Sequence, residues 1–318
     1  MDVSTESAQF EWIGPSRLGE LLSPGRARGA IADVLQALRA GTAGASERTF
    51  HGRDGAPLGL MPGFAPGHLG VKAITILPEN RERGLPTIQG VAVLFASETG
   101  APVAVVDGPA LTGLRTGAIA GLATDVLAVE AAAEMVMVGA GWQAQFQIEA
   151  VLDVRPVRRV TVWNRTRAYA DQLVDQLRSR VRDVELVVTD DLTEACRRAD
   201  IISLATSTMR PLLDEQPLAP WCHINAMGSY RPDHRELGST LVARAEVYAD
   251  TVEGCLDEAG DLLLPISEGS LTQAAIHPLW SASVASRERL TVLKSVGSVV
   301  FDIACAARAV EQLQAPPA

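Results

Sequence analysis

Hydrophobic residues near the N-terminus recur at helical spacing. Ser23 followed by Pro24 is a helix-start signal, because serine caps a first turn and proline fits its first position. Gly41 follows the last apolar residue of the run and is a stop signal. The apolar residues of this stretch are Ile31, Val34, Leu35 and Leu38. The pattern predicts an amphipathic helix between the two signals.

Short apolar segments with β-branched residues follow, and this pattern is typical of strands. Three such segments are Val71–Pro78, Thr87–Ala96 and Pro102–Asp107, and Glu98–Gly100 supplies a turn between the last two. Together they predict an antiparallel sheet. From Leu111 the pattern becomes helical.

A glycine-rich turn in the middle of the chain has the order strand, turn, helix. Met135–Val138 is a short apolar run, and Trp142–Asp153 has the length and pattern of a helix. In the GxGxxA motif between them, Gly139 fits the tight turn and Gly141 lets the backbone approach a pyrophosphate. Ala144 allows close packing of the helix on the sheet, and the amides at the helix start would bind phosphates.

Alternation of strand-like and helix-like segments continues after this turn and predicts an α/β fold with a Rossmann dinucleotide-binding domain. The further strand-like segments are Val157–Asn164, Val184–Val188, Ile201–Ala205 and His223–Ala226. A last helix is predicted over roughly Leu293–Leu313. We place the Rossmann domain at 114–293, and an α+β domain with the antiparallel sheet at 1–113 plus 294–318.

Composition excludes several classes of function. The chain has 318 residues, 47% of them hydrophobic and 21% charged, which suits two soluble domains. A net charge of −10 argues against general binding to nucleic acid or to an anionic membrane. Four scattered cysteines without metal-ligand spacing indicate neither a metal site nor a disulfide framework. No leader or membrane-spanning segment is evident, so we expect a cytoplasmic protein.

The end of the second Rossmann strand bears on the choice of dinucleotide. An NAD-preferring site places Asp or Glu there to bind the ribose 2′-hydroxyl, whereas this chain has Asn164, followed by Arg165 and Thr166. A guanidinium can bind a 2′-phosphate that a carboxylate would repel. The sequence therefore predicts NADPH as the cofactor. The alternative is that Arg165 is a solvated residue at the start of the next helix.

With these elements placed, the sequence resembles the ornithine cyclodeaminase and mu-crystallin family over nearly its whole length. The matching segments are GLPT at 84–87, DG at 107–108, LTGLRT at 111–116, GAGWQA at 139–144, INAMG at 224–228, EL at 236–237 and KSVG at 294–297. The resemblance implies a homodimer formed by the antiparallel sheets. It also implies a nicotinamide-dependent reaction at a carbon that bears an amino or imino group next to a carboxylate.

In the family, basic residues hold the substrate carboxylate, and they map here to Arg48, Lys72 and Arg115. Lys72 lies inside an apolar strand, where an unpaired ammonium is costly, so it should face a carboxylate or a cavity. The pattern predicts that Arg115 opens a helix beside the domain junction, a common place for a cofactor and substrate to meet. The alternatives are a solvated Arg48, a strand-edge lysine and a salt bridge at the end of a helix.

The resemblance also assigns residues near the cofactor and the substrate. The cofactor residues that it implies are Thr87, Arg115, Thr116, Trp142, Gln143, Thr206, Ala226, Met227, Gly228 and Ser295, beside the glycines and the Asn164–Thr166 segment. Val296 is placed near the substrate. The alternative for the Thr and Ser residues that follow strands is a local turn or a helix cap.

One position departs from the cyclodeaminase pattern. Cyclodeaminases have an aspartate that handles protons on the substrate amine, and Ser229 occupies its place here, as in the mu-crystallin branch. A seryl hydroxyl is a poor base near neutral pH, so the site suits hydride addition to an imine better than deprotonation of an ammonium.

These features predict an imine reductase that uses NADPH on a small cyclic 2-imino acid, such as pyrroline-2-carboxylate or piperideine-2-carboxylate. Arg48, Lys72 and Arg115 would hold the carboxylate, and Ser229 would bind near the imine nitrogen. The alternatives are ornithine or lysine cyclodeamination, alanine dehydrogenation, and a non-catalytic protein that binds small molecules in the presence of NADPH.

Overall fold

The computed structural model describes residues 10–52, 57–83 and 85–315. The chain divides into two compact units, the first comprising Met1–Arg115 and Ser298–Ala318 and the second Thr116–Gly297. Gly84, from the GLPT segment, lies outside the described residues. Among the described residues, no helix combines the length and apolar character that a membrane crossing requires.

Strands and helices follow one another along the chain in this order. The strands are β1 (Glu11–Ile13), β2 (Gly44–Ala45), β3 (Thr49–His51), β4 (Leu58–Ala65), β5 (His68–Ile76), β6 (Ile88–Ala96), β7 (Pro102–Asp107), β8 (Glu134–Val138), β9 (Arg159–Trp163), β10 (Glu185–Thr189), β11 (Ile201–Leu204), β12 (His223–Ala226), β13 (Glu246–Ala249), β14 (Ile276–Pro278) and β15 (Thr291–Lys294). The α-helices are α1 (Pro15–Leu21), α2 (Pro24–Arg39), α3 (Gly108–Leu127), α4 (Trp142–Leu152), α5 (Arg167–Leu177), α6 (Leu192–Arg197), α7 (Ser239–Arg244), α8 (Val252–Glu258), α9 (Gly260–Ser267) and α10 (Val299–Gln314). Short 3-10 helices cover Pro78–Arg83, Gln273–Ala275, Leu279–Ser281 and Val284–Ser286.

The first unit is built on a sheet in the order β1-β7-β6-β5-β4-β2, with β3 paired to β4. Strands β5, β6 and β7 pair antiparallel, as predicted. Strand β4 also pairs antiparallel with β5, and β1 joins β7 in parallel. The sequence predicts no strand at β4, where Gly59, Pro62 and Gly63 interrupt the apolar pattern. A Cβ on Gly63 would lie 2.6 Å from the side chain of Val299, so the small residue lets α10 pack closely on the strand.

Helix α2 fulfils the prediction made from its capping signals. The Ser23 side chain accepts a hydrogen bond from the Arg26 amide, and Gly41 adopts a φ of +72° just beyond the helix. The apolar residues predicted for its inner face are buried, apart from the half-buried Leu38. Helix α10 packs on α2 and on β4 and β5, which covers one face of the sheet.

Helix α3 begins earlier than the sequence pattern predicts. The Asp107 carboxylate accepts a hydrogen bond of 2.8 Å from the Ala110 amide, which caps a helix that begins at Gly108. The expectation that Arg115 opens this helix is therefore wrong, because Arg115 lies in its third turn.

The second unit contains a parallel sheet in the order β10-β9-β8-β11-β12-β15-β13-β14. From β8, the next two strands in sequence, β9 and β10, lie on one side, and β11 and β12 lie on the other. A doubly wound sheet binds its ligand at such a switch point, beyond the carboxyl ends of the strands. Helices cover both faces, so alternate residues of β8 enter two different cores: Val136 and Val138 enter one, and Met135 and Met137 enter the other. The predicted α/β fold with a Rossmann domain is confirmed.

The last helix begins later in the structure than the sequence predicts. Residues 291–294 form β15, which pairs between β12 and β13, and α10 begins only at Val299. Gly297, with a φ of +79°, separates the two elements. A short run that begins with the β-branched Thr291 and Val292 fits a buried strand as well as a helix, and only the pairing partners decide between them.

A buried histidine lies in the sheet of the second unit. His223 is inaccessible to solvent and contacts the Thr291 hydroxyl at 2.9 Å and the Asn225 side-chain oxygen at 3.1 Å. The Asn225 amide group in turn donates to Thr124 and Ser203. Burial lowers the pKa of His223 from 6.5 to about 4, opposed by the hydrogen bond to Asn225. The ring is therefore neutral in the folded protein.

This burial predicts a loss of stability in acid. Between pH 6.5 and about 4 the unfolded chain binds a proton at His223 that the folded protein does not, so the free energy of unfolding falls as the pH falls. The expected contribution is roughly 3 kcal/mol over that window. Urea unfolding of wild type and His223→Gln at several pH values measures it, with the exposed His51→Gln as the control. Equal pH slopes for wild type and His223→Gln would contradict the prediction.

Candidate functional site

The glycine turn after β8 has the geometry that only glycine allows at its first position. Gly139 has a φ of +101°, and a Cβ there would lie 2.7 Å from the Ala205 carbonyl oxygen. The Gly139 amide donates to the Trp163 carbonyl at 2.8 Å. The turn is therefore held tightly against the ends of β9 and β11.

The start of α4 is suited to binding an anion. Gly141 is its N-cap residue and offers no side chain to the first-turn amides, and a Cβ on Gly141 would meet no protein atom within 4 Å. Both features fit the close approach of a pyrophosphate. Ala144 is fully buried against the sheet, Trp142 is exposed and Gln143 is half-buried.

Asn164 connects the end of β9 to the glycine turn. Its side-chain oxygen accepts a hydrogen bond of 3.1 Å from the Ala140 amide, and its side-chain nitrogen donates to the Thr166 carbonyl at 2.8 Å. Arg165 and Thr166 are both exposed beside it. The segment therefore presents an exposed guanidinium and no carboxylate at the position that governs dinucleotide preference.

A buried carboxylate joins the loops that follow β11 and β12. Glu236 accepts hydrogen bonds of 2.7 Å from the Thr206 amide and hydroxyl through one oxygen, and of 2.8 Å from the Gly228 amide through the other. Burial and the charge of Asp261 raise the pKa of Glu236 above its usual value, although Lys294 and the Thr206 hydrogen bonds oppose that change. Glu236 is the acceptor in all three hydrogen bonds. This arrangement suits the ionised carboxylate, which has no proton to donate.

Lys294, at the end of β15, is fully buried beside the same loops. Its ammonium donates to Asp261 at 2.7 Å and to the Ser229 carbonyl at 2.6 Å. Burial lowers the pKa of Lys294, but Asp261 and Glu236 outweigh it and raise the pKa above its usual value. The Ser229 hydroxyl donates to the His234 carbonyl at 2.6 Å, so its one proton is committed to the protein backbone.

Apart from Thr116, the remaining predicted residues of the second unit lie at the ends of β12 and β15 or directly after them. Ser295 is buried and donates to Asp250 at 2.6 Å, and Asp250 also accepts from the Gly297 amide. Ala226 is buried at the end of β12. Met227 and Val296 are half-buried, and Thr116 is buried on α3.

In the first unit, Lys72 faces a carboxylate inside the protein. Its ammonium donates to Asp302 of α10 at 2.8 Å and to the Thr112 hydroxyl at 2.5 Å. Arg115 is also buried, and its Nε lies 3.6 Å from the same Asp302 oxygen without a hydrogen bond to it. Thr87, just before β6, is half-buried.

The charge of Arg48 also acts on Lys72. Burial lowers the pKa of Lys72, Asp302 opposes that change, and the charges of Arg115 and Arg48 add to it. Both guanidinium groups therefore lie close enough to the ammonium to act on it. In the first unit Lys72 and Arg115 lie beside the Asp302 carboxylate, and the charge of Arg48 acts on Lys72. We call these four residues the cation cluster.

Sequence reasoning missed three acidic residues of these sites. Asp302 has a signal in the sequence, because it interrupts an otherwise apolar run from Val299 to Ala307 that would bury an unpaired carboxylate at high cost. Glu236 is part of the EL segment that supports the family resemblance, but nothing local assigns its contacts. Asp261 has no local signal, because its partner Lys294 is 33 residues away.

Curated relatives of this chain are reductases. A Delta(1)-pyrroline-2-carboxylate reductase of Bacillus cereus is 38% identical over 267 residues, which cover 80% of this chain and 82% of the relative. The ketimine reductase mu-crystallin of Mus musculus is 32% identical over 281 residues, covering 88% of this chain and 85% of the relative.

Among solved structures, the Delta(1)-pyrroline-2-carboxylate reductase of Thermococcus litoralis in complex with NADH and L-proline matches with a TM-score of 0.88. It is 28% identical, and the match covers 95% of this chain and 96% of that one. These similarities bear out the prediction of an oxidoreductase that acts on carbon–nitrogen groups with a nicotinamide dinucleotide. A sequence model of the ornithine cyclodeaminase/mu-crystallin family matches residues 20–315, and the chain belongs to that family.

Proposed function

We propose that this protein reduces a small cyclic 2-imino acid with NADPH, giving proline from pyrroline-2-carboxylate or pipecolate from piperideine-2-carboxylate. The observation that carries the proposal is the cation cluster, in which the two buried cations Lys72 and Arg115 lie against the same Asp302 carboxylate. The reductases of similar sequence support the same class of substrate.

The charge balance of the cation cluster favours a second carboxylate. Lys72 is compensated by Asp302 at 2.8 Å, whereas the buried Arg115 Nε has no hydrogen-bond partner among the described residues. Burying a charged donor without an acceptor is costly, and a substrate carboxylate would remove that cost. We assign Arg115, Lys72 and Arg48 to this role, and we assign Val296 and Thr87 to contacts with substrate and cofactor.

Reduction adds a hydride to the imine carbon and a proton to its nitrogen, so C=N becomes CH–NH. The dinucleotide supplies the hydride when bound, and the glycine turn, α4 and the Asn164–Thr166 segment would hold it. The Ser229 proton is committed to the His234 carbonyl, so we assign to Ser229 Oγ the acceptance of a hydrogen bond from a protonated imine. Ser229 then orients the nitrogen, and the proton has entered from solvent beforehand.

The proposed preference for NADPH over NADH rests on the residues at the end of β9, where the ribose 2′ position would bind. The exposed Arg165 can pair with a 2′-phosphate, and Asn164 adds no negative charge there. The relative from Thermococcus litoralis was solved in complex with NADH, so the preference proposed here rests on Asn164 and Arg165 alone.

We also propose that the protein is a homodimer, as the family resemblance implies. The sheet face of the first unit that α10 does not cover presents an apolar row across neighbouring strands. Register aligns Trp12 with Val105, Val105 with Val93 and Val93 with Val71, and Trp12 is more than half exposed. Such a face suits a second copy of the chain.

The reaction can be tested directly with purified protein. We expect NADPH oxidation with pyrroline-2-carboxylate or piperideine-2-carboxylate, because the cation cluster binds a carboxylate and Ser229 provides no base for an ammonium. Ornithine with NAD and alanine with NAD are run alongside. Release of ammonia from ornithine without reduction of any imino acid would place the chain among the cyclodeaminases and overturn the proposal.

Substitutions in the cation cluster test the assigned carboxylate site. Lys72→Met and Arg115→Met should each lower kcat/KM for the imino acid by at least about tenfold, which corresponds to about 1.4 kcal/mol of lost transition-state stabilisation. Steady-state kinetics measures the loss, and circular dichroism verifies the fold. The exposed Arg17→Met in the same unit is the control. A folded variant with full activity would remove that residue from the site.

Titration of both nucleotides tests the cofactor assignment. Wild type should bind NADPH more tightly than NADH. Arg165→Ala should weaken NADPH binding by about tenfold or more and leave NADH binding unchanged, because a charge-assisted hydrogen bond contributes about 1.5–3 kcal/mol. Arg198→Ala removes an exposed arginine elsewhere in the same unit and serves as the control. Equal affinity of wild type for the two nucleotides would refute the assignment.

A further inference from the structure

Glu236 has no part in the proposed reaction, yet it is fully buried at the strand ends that carry the candidate site. It lies after β12. Its carboxylate receives hydrogen bonds from two separate loops, through Thr206 on one side and Gly228 on the other.

The two loops are in direct contact at this point. A Cβ on Gly228 would lie 2.2 Å from the Thr206 amide nitrogen and carbonyl oxygen, and 2.5 Å from a Glu236 carboxylate oxygen. Nothing larger than glycine fits between the loops, and Glu236 supplies the acceptors at their junction. The separation of Thr206 from Gly228 is therefore fixed by this carboxylate.

A second buried carboxylate, that of Asp261, holds the backbone at Glu236 and Leu237. Asp261 accepts from the Glu236 and Leu237 amides at 2.6 and 2.8 Å, and it also accepts from Lys294. Lys294 then donates to the Ser229 carbonyl. One connected network thus sets the backbone at Thr206, Gly228 and Ser229.

Stability alone is a weak reason for such a network. Two carboxylates and one ammonium are removed from water here, and the desolvation of buried charges commonly offsets their mutual attraction. What the network provides is a defined geometry, since each hydrogen bond fixes one backbone position.

We propose that Glu236 is a positioning residue that sets the two loops on which hydride transfer depends. This inference rests on the proposed function, because Thr206, Gly228 and Ser229 matter for the reaction only if cofactor and substrate bind there. Glu236 acts through these residues and touches neither ligand.

Glu236→Gln changes the chemistry of the junction with little change of shape. An amide has one acceptor oxygen, so its nitrogen would face either the Gly228 amide or the Thr206 donors, and one set of hydrogen bonds is lost. The loops should then separate or fluctuate. The matched control is Glu215→Gln, which makes the same chemical change at an exposed position in the same unit.

The experiment compares wild type, Glu236→Gln and Glu215→Gln in imino acid reduction with NADPH and with NADPH deuterated at the transferred position. For Glu236→Gln we expect kcat to fall by about tenfold or more, because small displacements of reacting groups cost large factors in rate. Affinity for NADPH should change by less than about threefold, because phosphate and adenosine are assigned to other loops. The isotope effect on kcat should rise.

Loss of thermal stability alone would move neither the isotope effect nor the ratio of kcat to nucleotide affinity. Unchanged kcat and isotope effect in a folded Glu236→Gln would overturn the inference. If that variant does not fold, Thr206→Val and Thr206→Ser replace it, because only serine keeps the hydroxyl that donates to Glu236. Thr206→Val must then lose more kcat than Thr206→Ser, and equal losses would overturn the inference.

Hydrogen exchange separates this inference from the proposed function. Amides in segments 204–208 and 226–230 should exchange faster in ligand-free Glu236→Gln than in wild type and Glu215→Gln. If wild type reduces no imino acid, the proposed function fails, while faster exchange would still support the role of Glu236 in fixing the loops. Identical exchange in all three proteins would reject that role, whatever the activity.

Discussion

The cost of burying charge is the constraint on which both candidate sites depend. Lys72 and Lys294 are the two lysines of the chain, and both are buried against an aspartate, Asp302 in the first unit and Asp261 in the second. Neither lysine could occupy its strand without that partner. Each pair therefore fixes a helix to a strand, α10 to the middle of β5 and α9 to the end of β15.

The parts of the fold that depend on local signals could be predicted from the sequence. The capping signals of α2, the glycine turn before α4 and the parallel strands β8 to β12 all follow from spacing and residue type. The strand β15 was mistaken for the start of a helix because its identity depends on pairing with β12 and β13. Strand β4 is not predicted because its glycines and proline interrupt the apolar pattern, and Gly63 serves close packing against α10 rather than β propensity.

The candidate site was predictable to a similar extent and for similar reasons. Lys72 is conspicuous as a lysine in an apolar strand, and its need for a carboxylate could be stated from the sequence. Asp302, the residue that meets the need, lies 230 positions away, so its role depends on tertiary packing. Glu236 and Asp261 are likewise defined by contacts between loops, and no spacing rule connects them.

The two hydrogen bonds of Asn164 have a consequence for redesign of the dinucleotide preference. An aspartate at this position would still accept from the Ala140 amide, but it could not donate to the Thr166 carbonyl as the asparagine does. The carboxylate that would select the unphosphorylated nucleotide would thus leave the Thr166 carbonyl facing a negative charge. Selectivity and turn shape are coupled at this residue, so a single substitution would change both, and a clean exchange of cofactor would require the loop to be rebuilt with it.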